Sequence, residues 1–240
     1  MRFRARESRR LILWAAALAV LVSPSPALAH HGKGFLLVES DEMPHKREVY
    51  FFSSQDFVHR DEEDEYELSP ALLFGLSDRV AIEVHSHFEK AEGESLRYEA
   101  FAPSLRVGLT DPESDAPLKL GLAAEYEIAR GDAEDRFETR LIAAYRTSDV
   151  NLTANLIAER ITGEDGEWEW GYAAGLRPWP ERRFGVGLEA LGTLSGPSSH
   201  EILGGLYFTE ERFTLKLGVG TGFGEEGPEL TIRTGLVFRF

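Results

Sequence analysis

His85 and His87 stand two residues apart, flanked by Glu83 and Glu89. On an extended strand this spacing sends all four side chains to one face, because successive residues leave the backbone on opposite sides. Two imidazoles so placed can share a divalent ion, and carboxylates can complete its coordination. His59 and His200 sit toward the same end of their segments. A second pair, His30-His31, is followed by Glu39, Asp41, Glu42 and His45. A free terminal amine beside an imidazole chelates copper or nickel, which would apply to His30 if cleavage follows Ala29. Both pairs also have plainer readings: hydrogen bonding for His85 and His87, a solvated tail for His30 and His31. No cofactor is expected, with a divalent metal as the alternative. Nucleophilic catalysis has less support. Ser86 lies between the histidines and faces away from both, and Ser198 and His200 have the spacing but no orienting acid in register. The chain is read as non-enzymatic. It has no cysteine, which removes disulfides and thiolate metal sites.

The elements that must position these side chains are strands. From residue 48 onward the period of two recurs in twelve segments: 48–57, 66–76, 80–88, 96–109, 118–128, 136–146, 150–159, 167–177, 183–194, 200–208, 213–223 and 229–240. In 118–128, Leu118, Leu120, Leu122, Ala124, Tyr126 and Ile128 share a face opposite Lys119, Glu125 and Glu127. Proline cannot donate to a ladder, so Ala102-Pro103 predicts a bulge in 96–109 with the facing residues shifted by one. Short connections such as Ser77-Asp78-Arg79 and Thr147-Ser148-Asp149 alternate with longer acidic ones such as His59 to Glu65 and Ala129 to Asp135. The exception is Thr110 to Ala116, which is long on the short side.

The two ends of the chain say where such a sheet belongs. Arg2, Arg4, Arg6, Arg9 and Arg10 precede an apolar run, Leu11 to Val22, and then Ala27-Leu28-Ala29. That order of basic, apolar and small residues predicts a secretory signal peptide over 1–29. At the other end, Leu230, Ile232, Leu236, Phe238 and Phe240 alternate with Thr231, Arg233 and Arg239, and the last residue is aromatic. This resembles the terminal strand of bacterial outer-membrane barrels, and the resemblance is to that class as a whole. It implies an all-β fold: a closed antiparallel transmembrane barrel of about twelve strands in an up-and-down meander. The expected organisation is a signal peptide (1–29), a periplasmic segment (30–47) and a barrel (48–240), with both mature termini in the periplasm. Tyr126, Phe137, Trp168 and Trp170 would then form an outer aromatic girdle, and Phe74, Tyr145, Trp179, Phe184 and Phe240 an inner one.

Charge fills in the interior. The net charge is −15; residues 1–29 carry five arginines and one glutamate, so their removal takes it to −19. Such acidity argues against nucleic acid as a partner. The inward face would carry charges of both signs, which cannot lie unpaired in a dry core. Glu83, His85, His87, Glu125, Glu127 and Arg140 are the expected lining of a pore. The run Asp61, Glu62, Glu63, Asp64 and Glu65 would form an acidic rim that concentrates cations and holds divalent ions against lipopolysaccharide phosphates. The expected function is a channel for small polar solutes that favours cations. The alternatives are a self-plugged structural or interaction barrel, and a metal-handling barrel.

Overall fold

A computed structural model describes residues 34–240 except 61, 62, 92, 132, 163–165 and 226. The signal-peptide region, His30, His31, Asp61 and Glu62 therefore lie outside the described residues. Among the described residues twelve strands follow one another, the first half being β1 (Val49–Arg60), β2 (Glu63–Ser77), β3 (Val80–Lys90), β4 (Arg97–Gly108), β5 (Leu118–Ala129) and β6 (Arg136–Arg146). The second half holds β7 (Val150–Ile161), β8 (Trp168–Pro178), β9 (Phe184–Thr193), β10 (Ser199–Thr209), β11 (Phe213–Gly224) and β12 (Leu230–Arg239). Each pairs antiparallel with its neighbours in sequence, and β12 closes on β1. The closure is regular, running without a shift from Tyr50↔Arg239 to His59↔Leu230.

Burial is inverted relative to a soluble sandwich. Leu188 and Leu206 face outward and are 55% and 58% exposed, whereas Glu83 and Glu189 face inward at 1%. Outward positions from β2 to β12 carry large exposed apolar residues, among them Leu72, Ile82, Leu122, Leu152 and Leu217. Only a hydrocarbon surround makes that arrangement favourable. Aromatic rings gather at both ends of this belt. Phe88 meets Tyr98 and Phe137 meets Trp168 at the end with longer loops. Phe184, Phe208 and Phe213 form a chain at the end with short turns.

Three sequence expectations change. The acidic run 61–65 is not one loop: β1 and β2 stay paired as far as Arg60↔Glu63, so Glu63, Asp64 and Glu65 belong to a projecting hairpin. The bulge is not at Pro103. Val84 pairs with Pro103 in register, and the shift lies between His87 and Phe88, which skips Glu99 on β4. Pro103 faces outward and gives up one bond without displacing its neighbours. The bulge at Glu99 sets which β4 residues point inward: Ala100, Ala102 and Arg106 are all buried.

The third change is the largest. Residues 34–42, expected in a solvated tail, lie inside the barrel. Phe35 and Val38 are buried with Ile157 and Ala173, and Leu37 and Leu191 pack against them. The wall makes room with glycine. A Cβ on Gly175 would stand 2.6 Å from the Phe35 ring, and one on Gly218 would stand 2.7 Å from Leu36 Cδ1. Gly175→Ala should therefore cost about 1–3 kcal/mol through overpacking. Reversible denaturant unfolding in lipid vesicles would measure it, and an unchanged midpoint would mean that Phe35 is not seated there. The chain leaves the lumen at the short-turn end, where Arg47 N–H donates to Gly75 O at 2.8 Å. Asp78, in the turn after β2, accepts from Lys46 N–H at 3.2 Å and faces His45 Nδ1 at 3.4 Å. These two contacts, the backbone one first, hold its carboxyl below the usual range. Asp78's share of this clasp is thus present at neutral pH and is lost as acid titrates Asp78 through that lowered value, while the Arg47–Gly75 backbone bond does not titrate.

Candidate functional site: the lumen and the segment within it

A stretch of backbone without a ladder must satisfy its polar groups some other way. Here the inward-facing side chains of the wall do it. Glu189 on β9 accepts three consecutive backbone N–H groups: Leu36 at 2.9 Å, Leu37 at 2.6 Å and Val38 at 3.2 Å. Such a run of N–H groups forms a concave anion site, and the anion is the wall's own carboxylate. Tyr207 O–H donates to the same carboxylate. The segment's carbonyls meet cations. Gly34 O accepts from Arg177 Nη1 at 2.7 Å, and Phe35 O accepts from Lys216 Nζ at 2.6 Å. Asn155 is reciprocal with Glu39, accepting its N–H at 2.8 Å and donating to its carbonyl at 3.0 Å.

The segment's acidic side chains are paired as well. Arg106 bridges Glu39 and Glu83, and all three are nearly or fully buried. Arg146 binds Asp41 at 2.7 Å and Glu42 at 3.1 Å. This resolves the mixed interior charge seen in the sequence. The wall uses part of it to hold a segment of its own chain.

The rest of the lumen is more open. Toward the loop end lies a cavity of about 370 Å³, lined by Arg60, Glu138, Arg140, Glu159, Glu169, Glu201 and Arg233 among others. Between the segment and the wall of β1–β3 and β12 runs a slot of about 170 Å³, bordered by Glu39, Glu83, His85, Arg140 and Lys216. Arg140 borders both spaces, and its guanidinium is held by Glu138 at 2.9 Å. Arg233 is fixed by Asp56 and by Glu201, the latter at 3.1 Å.

The six expected lining residues all point inward. They fall into linked sets. Glu83 is held by Arg106 and lies 3.7 Å from His85 Nε2, Arg140 belongs to the β6 wall, and His85, His87, Glu125 and Glu127 cluster across β3 to β5. His59 and His200 face outward and do not join them: His59 Nδ1 is 2.8 Å from Asp64, and His200 stacks on Phe223. Ser198 Oγ accepts from Glu225 N–H at 3.2 Å, away from that imidazole. The residues that sequence reasoning passed over are Arg106, Asn155, Tyr207 and Asp56, and Glu39 enters it only beside His30-His31. One signal for the segment was available: Phe35-Leu36-Leu37-Val38 is an apolar run that a solvated tail does not need.

No family model matches the chain, and no curated protein matches it in sequence. Solved structures do match in fold. The NanC porin superposes with a TM-score of 0.59 at 8% identity, covering 80% of this chain and 100% of that one. The KdgM porin gives 0.54 at 8% identity, with 80% and 99% covered. The KdgM porin in complex with disordered oligogalacturonate gives 0.53 at 9% identity over the same shares. At this identity the likeness is one of fold.

Proposed function

We propose that this chain is an outer-membrane channel for small polar solutes, favouring cations, whose throughput is limited by the N-terminal segment in its lumen. The observation that carries this reading is the junction at Arg140, where the charged vestibule borders the slot beside the segment. Hydrated charges around an unfilled space are what a selective pore requires. Glu138, Glu159, Glu169 and Glu201 outnumber Arg60, Arg140 and Arg233 in the vestibule wall. The acidic hairpin at Glu63, Asp64 and Glu65 adds to the negative field at the mouth. Insertion in the outer membrane agrees with the fold, with the apolar belt and with the signal-like start of the chain.

Purified protein in a planar bilayer should give small current steps with a cation-selective reversal potential. Glu159→Gln should move that potential toward zero. Anion selectivity in the unmodified protein would overturn the ion preference. The second reading is a closed barrel, and the segment itself favours it. It predicts silent membranes from folded wild-type protein and current only when the segment is removed.

A further inference from the structure

We propose that His85, His87 and Glu125 bind a divalent transition-metal ion of the zinc class on the lumen wall. This inference rests on ligand geometry alone and holds whether or not the barrel conducts. Glu125 is two strands from the histidines, since His85 pairs with Ala102 on β4 and Glu125 pairs with Ser104. The intervening strand presents Ala100, Ala102 and Ser104 inward, so nothing bulky stands between β3 and β5. Long side chains from both can meet above it.

They do meet. His85 Nε2 is 2.8 Å from Glu125 Oε2, and the two imidazole centroids are 5.6 Å apart. One ligand atom from each of His85, His87 and Glu125 lies within 4.8 Å of the others. Glu127 Oε2 stands 3.9 Å from His87 Nε2, within reach as a fourth donor.

The strongest feature is behind the ligands. His87 Nδ1 lies 3.1 Å from Glu67 Oε1 and 3.1 Å from Ser69 Oγ, both on β2. A proton on Nδ1 donated to Glu67 leaves the Nε2 lone pair facing the β5 carboxylates. Metal-bound histidines are oriented in this way by an outer carboxylate. That Nε2 is buried and makes no hydrogen bond among the described residues. Two imidazoles with two carboxylates and no thiolate suit zinc, cobalt, nickel or copper better than calcium or magnesium.

The test is calorimetry with zinc chloride on the full chain, refolded in detergent and stripped of metal. Cobalt(II) absorption is recorded alongside. Folding of each variant is checked by its heat-modifiable gel mobility. A His30→Ala/His31→Ala background removes the other histidine pair. Expected are one zinc per chain, an intense four-coordinate cobalt spectrum and loss of both in His85→Gln/His87→Gln. Glu67→Gln keeps every ligand and should weaken zinc binding by roughly 10–100-fold. The proposal is overturned if zinc does not bind, or if the double histidine variant binds it unchanged. Should that variant not fold, unaltered affinity in Glu67→Gln together with a weak six-coordinate cobalt spectrum overturns it equally.

Discussion

Glu189→Leu should raise the single-channel conductance and expose residues 34–42 to protease, while the barrel itself stays folded. The substitution keeps the size of the side chain and removes the acceptor of three backbone N–H groups and of Tyr207 O–H. Each buried donor left without a partner costs about 1–3 kcal/mol. The slot beside residues 36–38 gives water access to some of these donors, so the segment should lose about 3–5 kcal/mol of anchoring and not the full sum. Phe35 and Val38 still favour the lumen through their buried apolar surface. That surface contributes about 1.5–3 kcal/mol per side chain, most of which the lost hydrogen bonds offset. Planar-bilayer recording and limited proteolysis give independent readings. Unchanged conductance with the segment still protected would mean that Glu189 does not hold it.

The second large effect is expected at Arg106. Arg106→Met leaves Glu83, whose side chain is 0% exposed, facing Glu39 with no cation between them. Removing one partner of a buried ion group costs about 3–5 kcal/mol, because the remaining carboxylates lose the cation that compensated their burial. The contrasting pair is Arg79 with Asp111 at 2.6 Å, whose side chains are 51% and 55% exposed. Arg79→Ala should cost no more than about 1 kcal/mol, since solvent screens such a pair. Adding Glu83→Gln to Arg106→Met should recover part of the loss. Vesicle unfolding midpoints for the three variants check this ordering, and equal costs for Arg106→Met and Arg79→Ala would contradict it.

Arg106 also marks where the sequence could and could not be read. Strand positions were legible because a barrel wall imposes the period of two on both faces, lipid outside and polar side chains within. The segments predicted at 136–146 and 118–128 match β6 and β5 to within a residue. The inward set of β4 was not legible beyond its bulge. A proline marks a missing donor, whereas the skipped residue is Glu99, whose side chain announces nothing of the kind. Half of the histidine cluster was legible, since spacing alone places His85 with His87. Spacing within one strand says nothing about Glu67 and Glu125, which come from strands on either side. The lodged segment was least legible of all. Its hydrogen bonds go to side chains more than a hundred residues away, so no local period records them. Only the apolar run at 35–38 and the bare glycines opposite it hint at a guest.

The path of that segment bears on the order of assembly. Gly34 rests near Asn151 and Arg177 at the short-turn end, and the chain returns to the same end to start β1. Residues 34–47 therefore form a bight that enters and leaves the lumen at one end. A chain that crossed from mouth to mouth would have to be in place before β12 sealed against β1. A bight over residues 34–47 can be seated before or after the seam closes, and lifting it out opens no strand pair.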